Sequence, residues 1–331
     1  MNSAQGPSDG AEATLPIIDF TGWQDDAAVE RTIAKAIDAA FCSVGFCYFT
    51  NTGVDPALVA RLFEMSRRFH AQPMERKLEI AMNAYHRGYM APDSETVADS
   101  SVAEVTKPNF SESYMFMHDI GPDDPRWGHS VHGPNQWPAD VPGFRETVLE
   151  YQAAMQAFSM RLLRTFEIAL DLPDRYFDPY FARPTTFLRL LHYPPRPANA
   201  HTDAFGIAPH TDFGFLTLLA QDGHGGLEVR KRGGGWISAP PVPGAFVVNV
   251  ADVLARWTNG RWQSTPHRVV HNSAGHRYSC PYFFDTDVDV PVDCMPSCTS
   301  PDNPPRYEPA TYGAVLERHL VSNYTYRKEG P

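Results

Sequence analysis

From Thr185 to the end of the 280s, the chain is written in short apolar runs closed by turn residues, and this most limits what it can fold into. The runs are TFLRLLHY, FGFLTLLAQ, GLEVR, GAFVVNV, HRVVHN and RYSCPYFFD, with Gly, Pro, Asp or Asn between them. Runs of this length, rich in β-branched and aromatic residues, are strands. No helical pattern alternates with them, so a doubly wound parallel sheet is excluded and a sandwich or barrel is predicted.

The first half of the chain has a different period. Val148, Tyr151, Met155, Phe158, Leu162, Phe166 and Ala169 recur at steps of three and four, which predicts one long amphipathic helix over 142–170 along the outside of the strands. A helix over 25–45, a strand at FCYFT and a second helix from Pro56 to about His70 precede it. The stretch 82–142 is irregular, with a strand expected near KPNFSESYMFM. Residues 1–14 lack a basic start and an apolar run, so they read as a disordered tail and not as a signal peptide. The remainder, 15–331, reads as a single domain: a helical and strand part to about 175, a β core mainly over 176–290, and a C-terminal segment, 291–331.

A chain of 331 residues, 43% hydrophobic, has enough apolar surface for a sizeable core. Its net charge of -11 argues against a nucleic-acid partner, because grip on phosphates comes from Lys and Arg. No run approaches the length of a membrane span. Five cysteines form no paired framework, which suits a reducing, cytoplasmic location, and Cys294 with Cys298 lacks the second ligand pair of a zinc site. The sequence leaves the oligomeric state open.

The chemistry points to one tripeptide. His-Thr-Asp occurs twice, at His201–Asp203 and His210–Asp212, and each copy has the spacing of half a metal site. The first lies in a Pro- and Ala-rich loop, whereas the second runs directly into FGFLTLLAQ and is better held. A third ligand is needed, and both His267 and His271 flank a strand with even spacing, so periodicity does not choose between them.

With these residues in place, the chain resembles the isopenicillin N synthase-like family of Fe(II)- and 2-oxoglutarate-dependent oxygenases. The likeness runs in order through LPIIDF, LRLLHYPP, GIAPHTDFGFLTLLAQD, NVADVLARWTNGRWQSTPHRVV and RYSCPYFF. It implies a double-stranded β-helix (jelly-roll) core with flanking helices, mainly β in class. It implies Fe(II) bound by His210, Asp212 and His267, with His271 left out, and a dioxygenase that uses 2-oxoglutarate and O2 to oxidise a small molecule, releasing succinate and CO2. Two imidazoles and one carboxylate on one face of Fe(II) leave positions open for oxygen chemistry.

The same likeness makes Arg277, Ser279 and Tyr193 the co-substrate clamp. Arg277 and Ser279 project from one face of a strand, and a planar guanidinium suits a carboxylate. Two positions depart from the pattern: Leu191 stands where some relatives have Asn, and Thr52 where many have His. Tyr114, Phe116, Phe187 and Phe284 are candidates for the substrate wall. Asn249 and Asp252 read as structural, and the glycine-rich segment at Gly223–Gly226 as a tight turn. Two rivals remain: an oxidase of the same family that needs no 2-oxo acid, and a non-catalytic ligand-binding protein on the same fold.

Overall fold

The computed structural model describes residues 14–97, 100, 102, 105, 107–128, 131–195, 205–271 and 274–324. The N-terminal tail and the first His-Thr-Asp copy, His201–Asp203, thus lie outside the described residues, apart from Thr14.

Before the core come β1 (Ile17–Asp19), α1 (Ala27–Ser43), β2 (Phe46–Thr50), α2 (Pro56–His70), α3 (Met74–Leu78), β3 (Gly88–Met90), β4 (Glu112–Met117) and α4 (Phe144–Ala169). Local chemistry sets their ends. The Asp26 carboxylate accepts from the Ala28 N–H at the start of α1, and Asp55 does the same for Ala57 ahead of Pro56, whose missing N–H costs nothing there. The 26 residues of α4 bury Val148, Tyr151, Met155, Phe158, Leu162 and Phe166, the stripe read from the sequence.

The core follows as β5 (Thr185–Tyr193), β6 (Ile207–His210), β7 (Leu216–Gln221), β8 (Leu227–Arg230), β9 (Trp236–Ser238), β10 (Phe246–Val250), α5 (Asp252–Trp257), β11 (His267–Val269) and β12 (Arg277–Asp285), then α6 (Tyr312–Asn323). One sheet has the order β1-β2-β10-β7-β12-β5-β4-β3 and the other β6-β11-β8-β9. Among the described strands only β1 and β2 pair in parallel. The smaller sheet meets one face of the larger through Ile207, Leu227, Val229 and Val269 packed with Leu191, Tyr193 and Val247. Helices α1, α2 and α4 bury their apolar stripes against the opposite face. This is the jelly-roll architecture, and it leaves a cavity between the sheets.

Strand parity decides which side chains see that cavity, because alternate residues face opposite sides. On β5, Arg189, Leu191 and Tyr193 face inward, and on β12 Arg277, Ser279, Pro281 and Phe283 do so. Tyr114 pairs with Leu190 and Phe284 with Thr186, so both share the other face. This corrects the expected substrate wall. Tyr114 and Phe116 are fully buried on the helix side against Phe144 and Trp137, and Phe284 stacks on Phe181. Phe187 has the right parity but stands behind Phe213 and Phe283, edge-on to both.

Two helices have no counterpart in the sequence reading: α5 interrupts the strands of the core, and α6 lies in the segment 291–331, for which no element was expected. α5 is a short turn held by Asp252, whose N–H donates to the Asp212 carbonyl. α6 is capped by Thr311 and buries Tyr312, Leu316 and Leu320 at four-residue steps. No described helix is long and apolar enough to cross a membrane.

Candidate active site

The second His-Thr-Asp ends β6 and enters the turn to β7, and its backbone must pass close to β12. Gly214 allows this: a Cβ there would lie 2.0 Å from Asp285 Oδ1. Asp285 in turn accepts the Phe215 N–H and the Tyr312 hydroxyl, which fixes the turn. Because β6 pairs with β11 in a register that sets His210 opposite His267, the two imidazoles arrive side by side, with ring centroids 4.3 Å apart.

One ligand atom each from His210, Asp212 and His267 falls within 4.8 Å of the others, the sole such His/Cys/Asp/Glu group among the described residues. Nε2 of His210 and of His267 lie 3.7 and 3.8 Å from Asp212 Oδ1. The remaining polar atoms of the three are already engaged. Nδ1 of His210 donates to the Ala208 carbonyl and Nδ1 of His267 to that of Thr265, so each ring turns the lone pair of Nε2 toward the centre. Asp212 Oδ2 accepts from Thr217 Oγ1 at 2.6 Å and Asn249 Nδ2 at 2.8 Å, leaving Oδ1 for the same point. This donor set fits Fe(II), a borderline cation that takes imidazole and carboxylate together. Burial alone would raise the Asp212 carboxyl, but His267, His210 and the two hydrogen bonds hold it below its ordinary value. Burial and the neighbouring His210 push the His267 imidazole down to about 4, so it stays neutral and able to ligate.

Asn249 and Thr217 were not legible as partners of the aspartate. Asn249 reads as a strand residue in GAFVVNV, and only the pairing Asn249↔Thr217 across β10 and β7 brings both to Oδ2. His271, the alternative third ligand, lies past the end of β11 and its Nε2 bonds the Gly275 carbonyl. All five cysteines are free.

Further along the cavity Arg277 is completely buried. Its Nε donates to the Gly225 carbonyl, its Nη1 to Ser279 Oγ at 3.4 Å and its Nη2 to Gln221 Oε1, while its guanidinium lies 4.5 Å from the centre of the Tyr193 ring. Every one of these partners is neutral, and no carboxylate lies within ion-pair distance among the described residues. A buried cation without a counter-charge costs several kcal/mol, so the site is built for an anion. Tyr193 hydroxyl and Ser279 hydroxyl are 3.5 Å apart beside it. The glycine-rich segment Gly223–Gly226, expected as a tight turn, is an irregular connection from β7 to β8 in the other sheet, and it supplies the carbonyl that aims Arg277.

Comparison with known proteins decides the family. Residues 184–286 match the 2OG-Fe(II) oxygenase superfamily, and 15–140 match the N-terminal region described as non-haem dioxygenase in morphine synthesis. The 2-oxoglutarate-Fe(II) type oxidoreductase hxnY of Emericella nidulans is 34% identical over 96% of this chain and 94% of its own.

The chain belongs to the 2OG-Fe(II) oxygenase superfamily.

It is accordingly a dioxygenase whose cofactor is Fe(II) and whose co-substrates are 2-oxoglutarate and O2. Another superfamily relative, the kihadalactone A synthase of Citrus sinensis, is 34% identical over 83% of each chain. The crystal structure of a full-length Neurospora crassa protein in complex with alpha-KG and thymine superposes with a TM-score of 0.84 at 30% identity, over 95% of this chain and 98% of that one.

Proposed function

We propose that His210, Asp212 and His267 hold the Fe(II) of this oxygenase, and that Arg277, Ser279 and Tyr193 hold the far carboxylate of 2-oxoglutarate. The observation that carries the assignment is the division of labour at the triad: each ligand has its second polar atom tied to the protein and its first turned to a common point. Bound there, Fe(II) with 2-oxoglutarate and O2 supplies the oxidising equivalents for attack on a substrate C–H bond, with CO2 and succinate released.

The chain's own residues orient and protect. Thr217 and Asn249 keep Asp212 from rotating, and the two backbone carbonyls keep the histidine tautomers fixed. Arg277 offers charge-assisted hydrogen bonds to a carboxylate, and the Tyr193 ring shields that pair from water. Leu191, opposite Ser279, adds an apolar wall where a polar contact would otherwise stand.

The substrate is a small molecule oxidised by hydroxylation, desaturation or ring chemistry. We place the enzyme in the cytoplasm, since all five cysteines are free and Cys47, Cys280 and Cys298 are buried thiols that a folded chain protects. Metal content after loading and desalting tests the ligand set: iron should be lost in Asp212→Ala and retained in Asp203→Ala, and the reverse would overturn it.

A further inference from the structure

The cavity holds a second arginine, and its surroundings are the opposite of those around Arg277. Arg189 faces inward from β5, and its four-residue separation from Tyr193 places it roughly 13 Å along the strand from the co-substrate end. Its Nη1 and Nη2 donate to the two carboxylate oxygens of Glu95 at 3.1 and 2.8 Å, and its Nε donates to Ser113 Oγ at 3.0 Å. Glu95 also accepts from Tyr324 hydroxyl at 2.7 Å and from Asn109 Nδ2 at 3.0 Å. The two side chains are only 9% and 12% exposed, and both line the cavity.

Charge therefore cancels at this end. Burial would raise the Glu95 carboxyl, but Arg189 and the bonds from Arg189, Tyr324 and Asn109 bring it down to about 2, so it remains a carboxylate. Each carboxylate oxygen already accepts from two donors, whereas each Nη of Arg189 keeps a second N–H. At the other end Arg277 is matched by a co-substrate carboxylate, and the iron by Asp212 and the second carboxylate. Among the described lining residues, no Asp, Glu, Lys or Arg side chain is left for a substrate to neutralise. The remaining wall near Arg189 combines the apolar Phe213, Phe283 and Pro281 with the polar side chains of His319, which lies against the Phe213 ring, Asn323 and Tyr324.

Building on the active-site assignment above, we propose that the substrate is an uncharged ring compound bearing a hydrogen-bond acceptor such as a ring or amide carbonyl, selected by the Glu95–Arg189 pair. The spare N–H groups of Arg189 donate to that acceptor, and the phenyl rings of Phe213 and Phe283 cover the flat body. Glu95 removes the net charge that would otherwise draw in a carboxylate. It also repels an anion placed beside it, and its filled oxygens give nothing to a cation.

Matched probes test this: 2-quinolone against quinoline-2-carboxylate, and benzamide against benzoate. Each is titrated anaerobically into protein loaded with Fe(II) and 2-oxoglutarate, and binding is read by thermal shift and by perturbation of the metal-to-ligand absorption band. In the unaltered protein the neutral member of each pair should bind about tenfold or more tighter, as like-charge juxtaposition is costly. In Glu95→Gln, where Arg189 keeps its charge without a counter-charge, the preference should swing by at least about tenfold toward the anion. An anion bound as well as its neutral partner by the unaltered protein, or no binding of either member at millimolar concentration, overturns the proposal, whether or not the variant folds. Loss of the absorption band itself, before any probe is added, would instead overturn the active-site assignment.

Discussion

At the scale of single residues, the proposed iron site depends on atoms outside its ligand set. Asp212 presents one oxygen because Asn249 and Thr217 hold the other. Asn249→Ala should therefore lower Fe(II) affinity about 10- to 100-fold, measured by competition with a chelator, because second partners of ligands typically carry that much. Unchanged affinity would mean that Asp212 is oriented by something else. Arg277→Gln keeps the volume and one donor but removes the charge. It should weaken 2-oxoglutarate binding by roughly 2 kcal/mol or more, the scale of a charge-assisted hydrogen bond, with iron content unchanged.

The proposed ligands and clamp residues could be named from the sequence as residue types at a spacing, helped by resemblance. The choice of His267 over His271 was not legible from periodicity, since both have the same parity. It follows from where β11 stops, at Val269, and from the register that sets His267 opposite His210. Glu95 and Arg189 could not have been found from spacing, as they come from an irregular segment and a strand interior ninety-odd positions apart.

At the scale of elements, the sequence announced strands and long helices by their periods, while short capped pieces escaped. α5 has only six residues, too few to show a stripe, and α6 follows a Pro-rich stretch, although its Tyr312, Leu316 and Leu320 do keep a helical step. Parity was the costlier gap: FSESYMFM is buried on both faces, so alternation gives no sign of which aromatic side chains meet the cavity. Turn chemistry matters where it aims a side chain. Gly226 has φ +110° and a Cβ would lie 2.6 Å from the Val270 carbonyl oxygen, so Gly226→Ala should cost about 1–3 kcal/mol in urea unfolding. It should also weaken 2-oxoglutarate binding, because the adjacent Gly225 carbonyl holds Arg277; a loss of stability without a loss of binding would show that this carbonyl is dispensable.

A buried polar knot ties α3, β4 and β5 together. Lys77 Nζ lies 2.6 Å from Glu112 Oε2, Tyr89 hydroxyl donates to the same oxygen, and His192 Nδ1 lies 2.7 Å from Oε1. Burial would raise the Glu112 carboxyl, but the bond to His192, the charges nearby and the bonds to Lys77 and Tyr89 depress it to about 2. A carboxyl depressed on folding stabilises above its unfolded pKa, and that stability is lost as pH falls from about 4.5 toward 2. Glu112→Gln leaves Lys77 buried without its partner and should cost about 3 kcal/mol at pH 7. The deficit should shrink as pH falls through that window, followed by urea midpoints; a deficit independent of pH would exclude ionisation of Glu112 as its source.

At the scale of the whole molecule, a helix-backed sheet and a smaller sheet enclose one cavity whose two ends carry two differently treated arginines. Arg277 is left without a protein counter-charge, and Arg189 is given one. The fold class was readable because short turn-separated strands after a long amphipathic helix admit few architectures. The cavity's polarity was not, because it arises from β5 and β12 pairing along their length, which no local pattern records. The central claim is that His210, Asp212 and His267 bind Fe(II) while Arg277 binds 2-oxoglutarate beside it. Anaerobic titration of 2-oxoglutarate into Fe(II)-loaded protein, followed by its visible absorption band, tests this most directly. The band should appear and saturate in the unaltered protein, shift to much higher 2-oxoglutarate concentration in Arg277→Gln, and vanish in Asp212→Ala; a band of undiminished strength in Asp212→Ala would contradict the account.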